Sequence, residues 1–426
     1  MRVVYDIAYL GAGAEHGDRQ ETGVGRVCRN VLAGLAQSPE LELTLSASEF
    51  VHGGRVYARD HGLEPRFAGP DTWVGGALNR WLPELHRRWR VGQRSDAAGG
   101  RTLGQRVAGR CWRRLARLPT AALNRRALAA ADIFHSSHYP LPAQVRAVAS
   151  LRRFITVCDV LPLLHPEWFE PGINAFFRRV AASIDPATWV IAISESTKRD
   201  VCATLPVPPR QVFVASPAAE PRLFSPVTDT ARLEAVRRQY GIPAGPYLLS
   251  VCTLEPRKGL ATVIRAFGAL VGQAGLRDLS LVLVGNPGWH PARLEAVLAT
   301  MPVGRERVLR PGYVPDTDLA PLYSGALAFT YLSEYEGFGL PPLEAMQCGL
   351  PVIAANSAAL PEVVGDAGVL LPPGDEAGLA EAMLALYRQP EKRAALAARA
   401  LARAAGFSWD RCVCAVIKAY RASLDG

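Results

Sequence analysis

Lysine is nearly missing from this sequence of 426 residues. Of its 48 basic residues only Lys198, Lys258, Lys392 and Lys418 are lysines, and all the others are arginines. Paired cysteines are missing too. The eight, at positions 28, 111, 158, 202, 252, 348, 412 and 414, form no C-x-x-C pair and no metal-ligand spacing, which argues against a disulfide framework and suits a reducing compartment. No apolar run approaches the ~18 residues of a membrane span. Residues 1–10 carry Asp6 inside the apolar run and no cleavage site, so they read as a strand and not as a signal peptide. The expectation is a soluble, cytoplasmic protein. No repeat of solenoid length is visible. Apolar residues, by contrast, make up 49% of the chain, enough for large cores. At roughly 150 residues per domain, the length predicts two to three domains.

The formal net charge of +9 is unevenly held. Residues 80–126 contain thirteen arginines and two acids, a charge of +11, which leaves −2 for the remainder. The basic balance therefore belongs to one arm and does not describe the whole surface.

Short apolar runs alternate with helical spacing along the chain. Strands are predicted at 3–7, 133–135, 154–157 and 189–193, then at 247–251, 279–284, 326–331, 351–354 and 369–371. Stretches such as 260–271 and 379–387 carry the helical pattern between them. Apolar strands alternating with helices mean parallel sheets covered on both faces, with ligands at the carboxyl ends of the strands. Eight prolines fall between 206 and 246, and the polar stretch 229–240 reads as a helix, so the hinge between two α/β halves is placed near 217–226.

Two constellations in the second half carry chemistry. After the strand 247–251 comes Thr253-Leu-Glu-Pro-Arg257-Lys258-Gly259-Leu, which sets two adjacent cations at a strand's carboxyl end. Arg257 can clamp phosphate oxygens with its planar fork, and Lys258 supplies a compact charge. Two solvated loop cations are the plainer alternative. After the strand 326–331 comes Ser333-Glu-Tyr-Glu336-Gly337-Phe338-Gly339-Leu340-Pro341-Pro342-Leu-Glu344-Ala. Its glycines allow a tight turn and close approach to a ligand, and its prolines fit the first turn of a helix whose start is an anion site. Glu336 before that helix and Glu344 one turn inside it can face one ligand from adjacent levels. Judged singly, Glu344 could only complement the helix dipole and Glu336 only be a solvated loop acid. Together they suit a ligand bearing phosphate and hydroxyls, such as a nucleotide sugar.

Glu336-x7-Glu344 within Glu-Gly-Phe-Gly-Leu-Pro, preceded by Glu-Pro-Arg257-Lys258-Gly, resembles glycosyltransferase family 4, retaining enzymes of GT-B fold. The likeness runs from Tyr247 to about Asp410 and includes Leu-Val-Gly285 before Gly288-Trp289, then Gly312-Tyr313-Val314-Pro-Asp. It also takes in Gly349-Leu-Pro-Val-Ile-Ala and Ala359-Leu-Pro-Glu362. The wording is most like bacterial mannosyltransferases of surface-polysaccharide assembly. The resemblance implies two Rossmann-like parallel-sheet domains facing each other across a cleft. It implies that Arg257 and Lys258 hold the donor diphosphate, aided by backbone N–H groups of Gly337, Phe338, Gly339 and Leu340. Glu336 would bind sugar hydroxyls, Glu344 the ribose, and the backbone of Gly312, Tyr313 and Val314 would face the base. No metal or other cofactor is implied, only a nucleotide-sugar co-substrate, with a GDP-sugar favoured. Asp316-Thr-Asp318 spells D-x-D, but it precedes a helical pattern, so Asp316 reads as an N-cap and Asp318 as a first-turn acid ahead of a metal site.

The first half is less legible. Thr22-Gly23-Val24-Gly25-Arg26 ends a polar loop before a helix over 27–36, a weak phosphate signal that a tight turn explains equally well. By resemblance Gly23, Gly25 and Arg26 are donor-site candidates. Ile155-Thr-Val-Cys158-Asp159 resembles the family segment in which a His-Asp pair ends a strand, with Cys158 where the family has histidine. A thiol cannot carry that charge. Asp159 stays a donor-site candidate. Either another residue supplies the missing group, with His138 in Ser136-Ser-His-Tyr as one option, or the sugar differs at that position. Ser194 matches the family as well, or simply caps the next helix.

In the arm 80–126, Leu103, Val107, Cys111, Leu115 and Leu118 form one helical stripe, and Arg106, Arg110, Arg113 and Arg117 form the next. With Trp81, Trp89 and Trp112 this suggests a helix on an anionic membrane surface. An ordinary amphipathic helix and a nucleic-acid patch are the alternatives, nucleic acid the weaker. Residues 92–104 read as a mobile loop. The division expected is 1–218 on the acceptor side, 219–408 for the nucleotide sugar, and a helix over 409–426 packing back on the first domain. The function expected is a retaining hexosyltransferase, mannose favoured, acting on a glycan or polyprenyl-linked acceptor, with the basic arm suggesting a peripheral place on the inner face of the cytoplasmic membrane. The competing readings are an inactive nucleic-acid or anionic-surface binding protein and a GT-B nucleotide-sugar epimerase.

Overall fold

Apolar strands buried on both faces set the architecture of the chain, seen here in a computed structural model. It describes residues 1–16, 22–69, 123–272, 276–289, 291–301 and 303–425. The loop 92–104 and the basic arm, up to residue 122, lie outside the described residues. Arg125 and Arg126 open the helix Arg125–Ala130, whose first turn is capped by Asn124.

The chain divides into two units. The first comprises Met1–Ala192, Asp200–Ala215 and Cys412–Gly426, and the second Ile193–Arg199 and Ser216–Arg411. The first holds β1 (Arg2–Asp6), β2 (Glu42–Ser46), β3 (Ile133–Ser136), β4 (Arg152–Val157), β5 (Thr188–Ala192) and β6 (Val212–Val214). These form one parallel sheet in the order β2-β1-β3-β4-β5-β6. Val3 and Val4 of β1 lie between Leu43 and Thr44 of β2 and Ile133 and Phe134 of β3. One core packs Ile155, Val157, Val190 and Ala192 against Val180 and Val201. Residues 412–425 of the last helix, Trp409–Asp425, lie on the same unit, where Tyr420 and His135 share a hydrogen bond beneath the sheet.

The second unit holds β7 (Tyr247–Val251), β8 (Ser280–Val284), β9 (Val308–Gly312), β10 (Ala328–Tyr331), β11 (Val352–Ala355) and β12 (Val369–Leu371). The order is β12-β11-β10-β7-β8-β9, again parallel. The helix Leu260–Val271 buries Val263, Ile264, Phe267, Leu270 and Val271, the 3.6-residue spacing of one face.

Three strands escaped the sequence reading, and all three are sheet edges: β2, β6 and β9. An edge strand has one partner and need not be apolar throughout. β2 alternates apolar with polar residues, β6 has three residues, and β9 contains Pro311, which an edge tolerates because its missing N–H faces no neighbour.

Candidate active site

The site grows from the turn after β7. Pro256–Lys258 makes one 3-10 turn, and Gly259 (φ +67°) leads into the helix Leu260–Val271. A Cβ on Gly259 would lie 2.0 Å from the Leu332 carbonyl oxygen, so only glycine lets this turn press against the end of β10. The Glu334 N–H donates to the Arg257 carbonyl at 2.8 Å, and the Ser333 hydroxyl donates to it at 3.3 Å. The two motifs, nearly 80 residues apart in sequence, are thereby locked side by side.

Their side chains form one charged network. Lys258, 8% exposed, places Nζ 2.5 Å from Glu336 Oε1 and 3.3 Å from the Tyr331 hydroxyl, with the Tyr331 ring 5.6 Å away. Tyr331 donates its own hydrogen bond to Glu336 Oε1 at 2.8 Å. Arg257 pairs with Glu255 at 2.7 Å, reaches Glu336 Oε2 at 3.8 Å and donates to the Tyr335 carbonyl at 3.2 Å. Burial by itself would raise the Glu336 carboxyl, but Lys258, then Arg257, outweigh it and hold it down at about 2. Arg257 and Lys258 are thus not solvated loop cations. Glu255 and Tyr331 were not singled out from the sequence, although Glu255 stands two residues before Arg257 and Tyr331 ends β10.

Gly339, with φ +125°, turns the chain into the helix Leu340–Gln347, and Pro341 and Pro342 sit in its first turn. Phe338 is buried edge-on against Phe407, so only its backbone can meet a ligand. The two carboxylates of this motif have different surroundings. Glu344 is 2% exposed and accepts a hydrogen bond from the Tyr323 hydroxyl at 3.2 Å, whereas Glu336 belongs to the lysine network.

Ser194 caps the helix Glu195–Thr204, its Oγ accepting from the Thr197 N–H at 2.9 Å. The same hydroxyl donates to the Gly337 carbonyl at 2.7 Å, and Thr197 Oγ1 donates to it at 3.1 Å. Glu362 accepts the Glu195 and Ser196 N–H groups at 2.8 and 2.6 Å. Ser194 therefore braces the loop that carries Glu336, over 143 residues of sequence. Gly312 closes β9 with φ +81°. Val314 is buried, and Tyr313 is 43% exposed.

Asp316 is not an N-cap. It opens the helix Asp316–Gly325 itself, with Pro315 in the cap position, and Asp318 accepts from the Tyr240 hydroxyl at 2.6 Å. No group of three or more His, Cys, Asp or Glu side chains among the described residues could hold a metal ion.

In the first unit Gly23, Gly25 and Arg26 do not end a loop. They form the first turn of the helix Gly23–Gln37, and Thr22 caps it by accepting from the Gly25 N–H at 3.1 Å. Asp159 caps the short helix Leu161–Leu164 through the Leu161 N–H at 3.0 Å. Cys158 is buried, 3% exposed, and burial pushes its thiol well above the usual range. His138 is buried as well, and desolvation lowers it to about 4. It lines a small cavity with Asp159 and Thr156.

Two parallel six-stranded sheets, the second carrying a cradle suited to phosphate and hydroxyls, are the mark of GT-B glycosyltransferases. The family model described as "Glycosyl transferases group 1" matches residues 245–389. The O-antigen chain mannosyltransferase B of Escherichia coli is 32% identical over 290 residues, covering 68% of this chain and 74% of that protein. With these matches, the chain belongs to the glycosyl transferases group 1 and is a glycosyltransferase. A D-inositol 3-phosphate glycosyltransferase of Acidothermus cellulolyticus is 32% identical over 314 residues, 69% of this chain and 67% of that protein. The serotype-specific mannosyltransferase WbdA of E. coli is 29% identical over 262 residues, 60% of this chain, which spans only 32% of that longer protein. Among solved structures, the sucrose-phosphate synthase of Thermosynechococcus elongatus shares the fold with a TM-score of 0.65 at 18% identity, over 99% of this chain and 98% of that one. The lipopolysaccharide glycosyltransferase WaaG does so with a TM-score of 0.60 at 16% identity, over 98% and 99%. These relatives do not favour the binding-protein and epimerase readings. No helix among the described residues is long and apolar enough to cross a membrane.

Proposed function

We propose that the protein is a retaining mannosyltransferase that moves mannose from GDP-mannose to a glycan or polyprenyl-linked acceptor, working at the cytoplasmic face of an anionic membrane. The observation that carries the reading is the Lys258–Glu336 pair at 2.5 Å, with Arg257 beside it and the helix Leu340–Gln347 starting three residues beyond Gly337. The names of the E. coli relatives, both mannosyltransferases, support mannose as the sugar.

Breaking the glycosidic bond leaves charge on the departing diphosphate, and catalysis consists largely of groups already aimed at that charge. Arg257 and Lys258 take this role, together with the backbone N–H groups of the helix start. In the free protein their charges are balanced by Glu255 and Glu336. The arriving diphosphate draws on the same cations, and Glu336, ionised throughout the neutral range, turns its lone pairs to the sugar hydroxyls. The ribose is assigned to Glu344, and the base to the backbone of Gly312, Tyr313 and Val314.

Thermal-shift measurements with GDP-, UDP- and dTDP-sugars test the donor, since a ligand raises the melting temperature according to its affinity and concentration. GDP-mannose is expected to give the largest rise, followed by transfer with the anomeric configuration kept. Stabilisation by UDP-sugars alone, or an inverted product, would overturn the assignment.

A further inference from the structure

The loop Gly337-Phe338-Gly339 has glycine on both sides of one residue. Glycine accepts φ of either sign, so a peptide beside it turns over at little cost. Left to itself, such a loop would not keep its N–H groups in one direction. Here the peptide between Gly337 and Phe338 is held from outside, by residues as far as 143 positions earlier in the chain.

Two hydroxyls grip the Gly337 carbonyl. Ser194 Oγ donates to it at 2.7 Å and Thr197 Oγ1 at 3.1 Å, and the two hydroxyl oxygens stand 3.1 Å apart. Both side chains are fully buried, and both belong to the segment Ile193–Arg199 of the second unit. That segment is itself fastened. Glu362 accepts the Glu195 and Ser196 N–H groups through its two carboxylate oxygens, at 2.8 and 2.6 Å, and pairs with Arg199 at 3.6 Å. Glu362 stands on the short helix Leu360–Val364, whose Val363 carbonyl accepts from Arg403 at 3.1 Å. Arg403 in turn lies 5.5 Å from the ring of Phe407, against which Phe338 is buried. One peptide is thus fixed at both ends, its carbonyl by hydroxyls and the side chain after it by the core.

In a planar trans peptide the N–H points opposite to the C=O. Pinning the Gly337 carbonyl therefore aims the Phe338 N–H away from Ser194 and Thr197. A carbonyl oxygen has two lone pairs, and both are engaged. Turning the peptide over would leave two buried hydroxyls without their acceptor, which disfavours the flip that glycine permits. Donors fixed in advance count most where charge develops, because none has to reorient during the reaction.

We propose that Ser194, Thr197 and Glu362 are positioning residues that keep the Phe338 N–H aimed at the phosphate from which the sugar departs. The inference rests on the diphosphate assignment made above. Ser194 and Thr197 act on the peptide, and Glu362 acts one step further back by holding the backbone that carries them.

Calorimetric titration of the full chain with GDP and GMP, and with UDP and UMP, tests this. Within each pair the ratio of dissociation constants reads the terminal phosphate alone, since base, ribose and first phosphate are shared. Thr197→Val keeps the shape and removes one hydroxyl. It is expected to cut the ratio about fivefold, with monophosphate affinity within twofold. Thr197→Ser keeps the hydroxyl and should retain the wild-type ratio. Ser194→Ala combined with Thr197→Val should cut it at least about tenfold, and Glu362→Gln should lower it less. In transfer assays kcat should fall with the ratio while the acceptor KM stays within twofold. A merely structural role would lower stability and all four affinities together and spare the ratio. The proposal is overturned by an unchanged ratio in Thr197→Val, or by a serine variant as impaired as the valine one; these two decide the matter even if the double variant does not fold. If the wild type binds neither diphosphate more tightly than its monophosphate, the diphosphate assignment fails and the proposal falls with it. A wild-type preference for diphosphate that survives Thr197→Val defeats the proposal alone.

Discussion

Replacing Lys258 with methionine keeps most of the side-chain volume and removes one charge from the network around Glu336. The size of the effect follows from the geometry. The network lowers the Glu336 carboxyl from 4.5 to about 2, and at 1.36 kcal/mol per pKa unit this favours the ionised form by about 3 kcal/mol. Removing one partner of a buried pair costs ~3–5 kcal/mol because the other charge stays behind. Here Tyr331 at 2.8 Å and Arg257 at 3.8 Å remain, so the lower end, about 3 kcal/mol, is expected. Glu336→Gln should cost a similar amount. The double variant should lose less than the two singles together, by at least about 1 kcal/mol of coupling. The pH dependence has a definite sign. Because the folded pKa lies below the unfolded one, the stabilisation is present above pH 4.5 and is lost as pH falls from 4.5 towards 2. Lys258→Met raises the folded pKa, so its midpoint should approach the wild type over that interval.

Urea unfolding of the wild type, both singles and the double, at pH 7 and pH 4, measures the stability terms. GDP-mannose hydrolysis and transfer measure the chemistry, where losing one preorganised group costs ~10²–10³ in kcat. Strict additivity in the double variant would show that Lys258 and Glu336 are not coupled. Transfer within tenfold of wild type in both singles would sink their catalytic assignment.

Gly259→Ala drives a Cβ to within 2.0 Å of the Leu332 carbonyl at φ +67°, so about 2–4 kcal/mol of stability should go with most of the activity, read by urea unfolding and transfer rate. Burial lowers His135 to about 3 and His138 to about 4, so the stability they favour is complete above pH ~6.5 and is lost as pH falls towards 4 and 3; a midpoint that does not fall between pH 6.5 and 6 would contradict this. That upper interval is the cleanest, because burial raises Asp6 to about 6, and its opposite contribution is lost as pH rises from 3.8 to 6. Cys158→His restores the family's residue at a site 3% exposed. It should cost about 1–3 kcal/mol by overpacking without raising transfer, and a stable variant with a higher kcat would count against this reading of the first unit.

What the sequence disclosed depended on how local the information was. The elements Tyr247–Val251, Leu260–Val271 and Val369–Leu371 are legible to the residue, because Pro246, Gly259, Gly272, Gly368 and Pro372 stand where their apolar patterns start or stop. The placing of Arg257 and Lys258 after β7 is legible too, since it needs only a strand end and a turn. The internal pairing of the site was not. Glu255 and Tyr331 look ordinary in sequence, and their roles appear only when the turn and the end of β10 are pressed together. Ser194 was legible as a cap but not as a brace for Gly337.

The division of charge within the molecule bears on the chemistry. Cys158, following β4 where the resemblance implies a histidine, is a buried thiol with a raised pKa, and His138, the candidate to replace it, is held neutral by its own burial. Neither carries positive charge at neutral pH. In the proposed reaction the diphosphate charge therefore falls on Arg257 and Lys258, which are both buried or nearly so and both pre-paired with carboxylates. A buried cation without a partner would be costly in the free protein. Glu255 and Glu336 supply those partners to the two cations. In the proposed reaction that pre-pairing is the condition for the cradle of the second unit to hold its two cations buried.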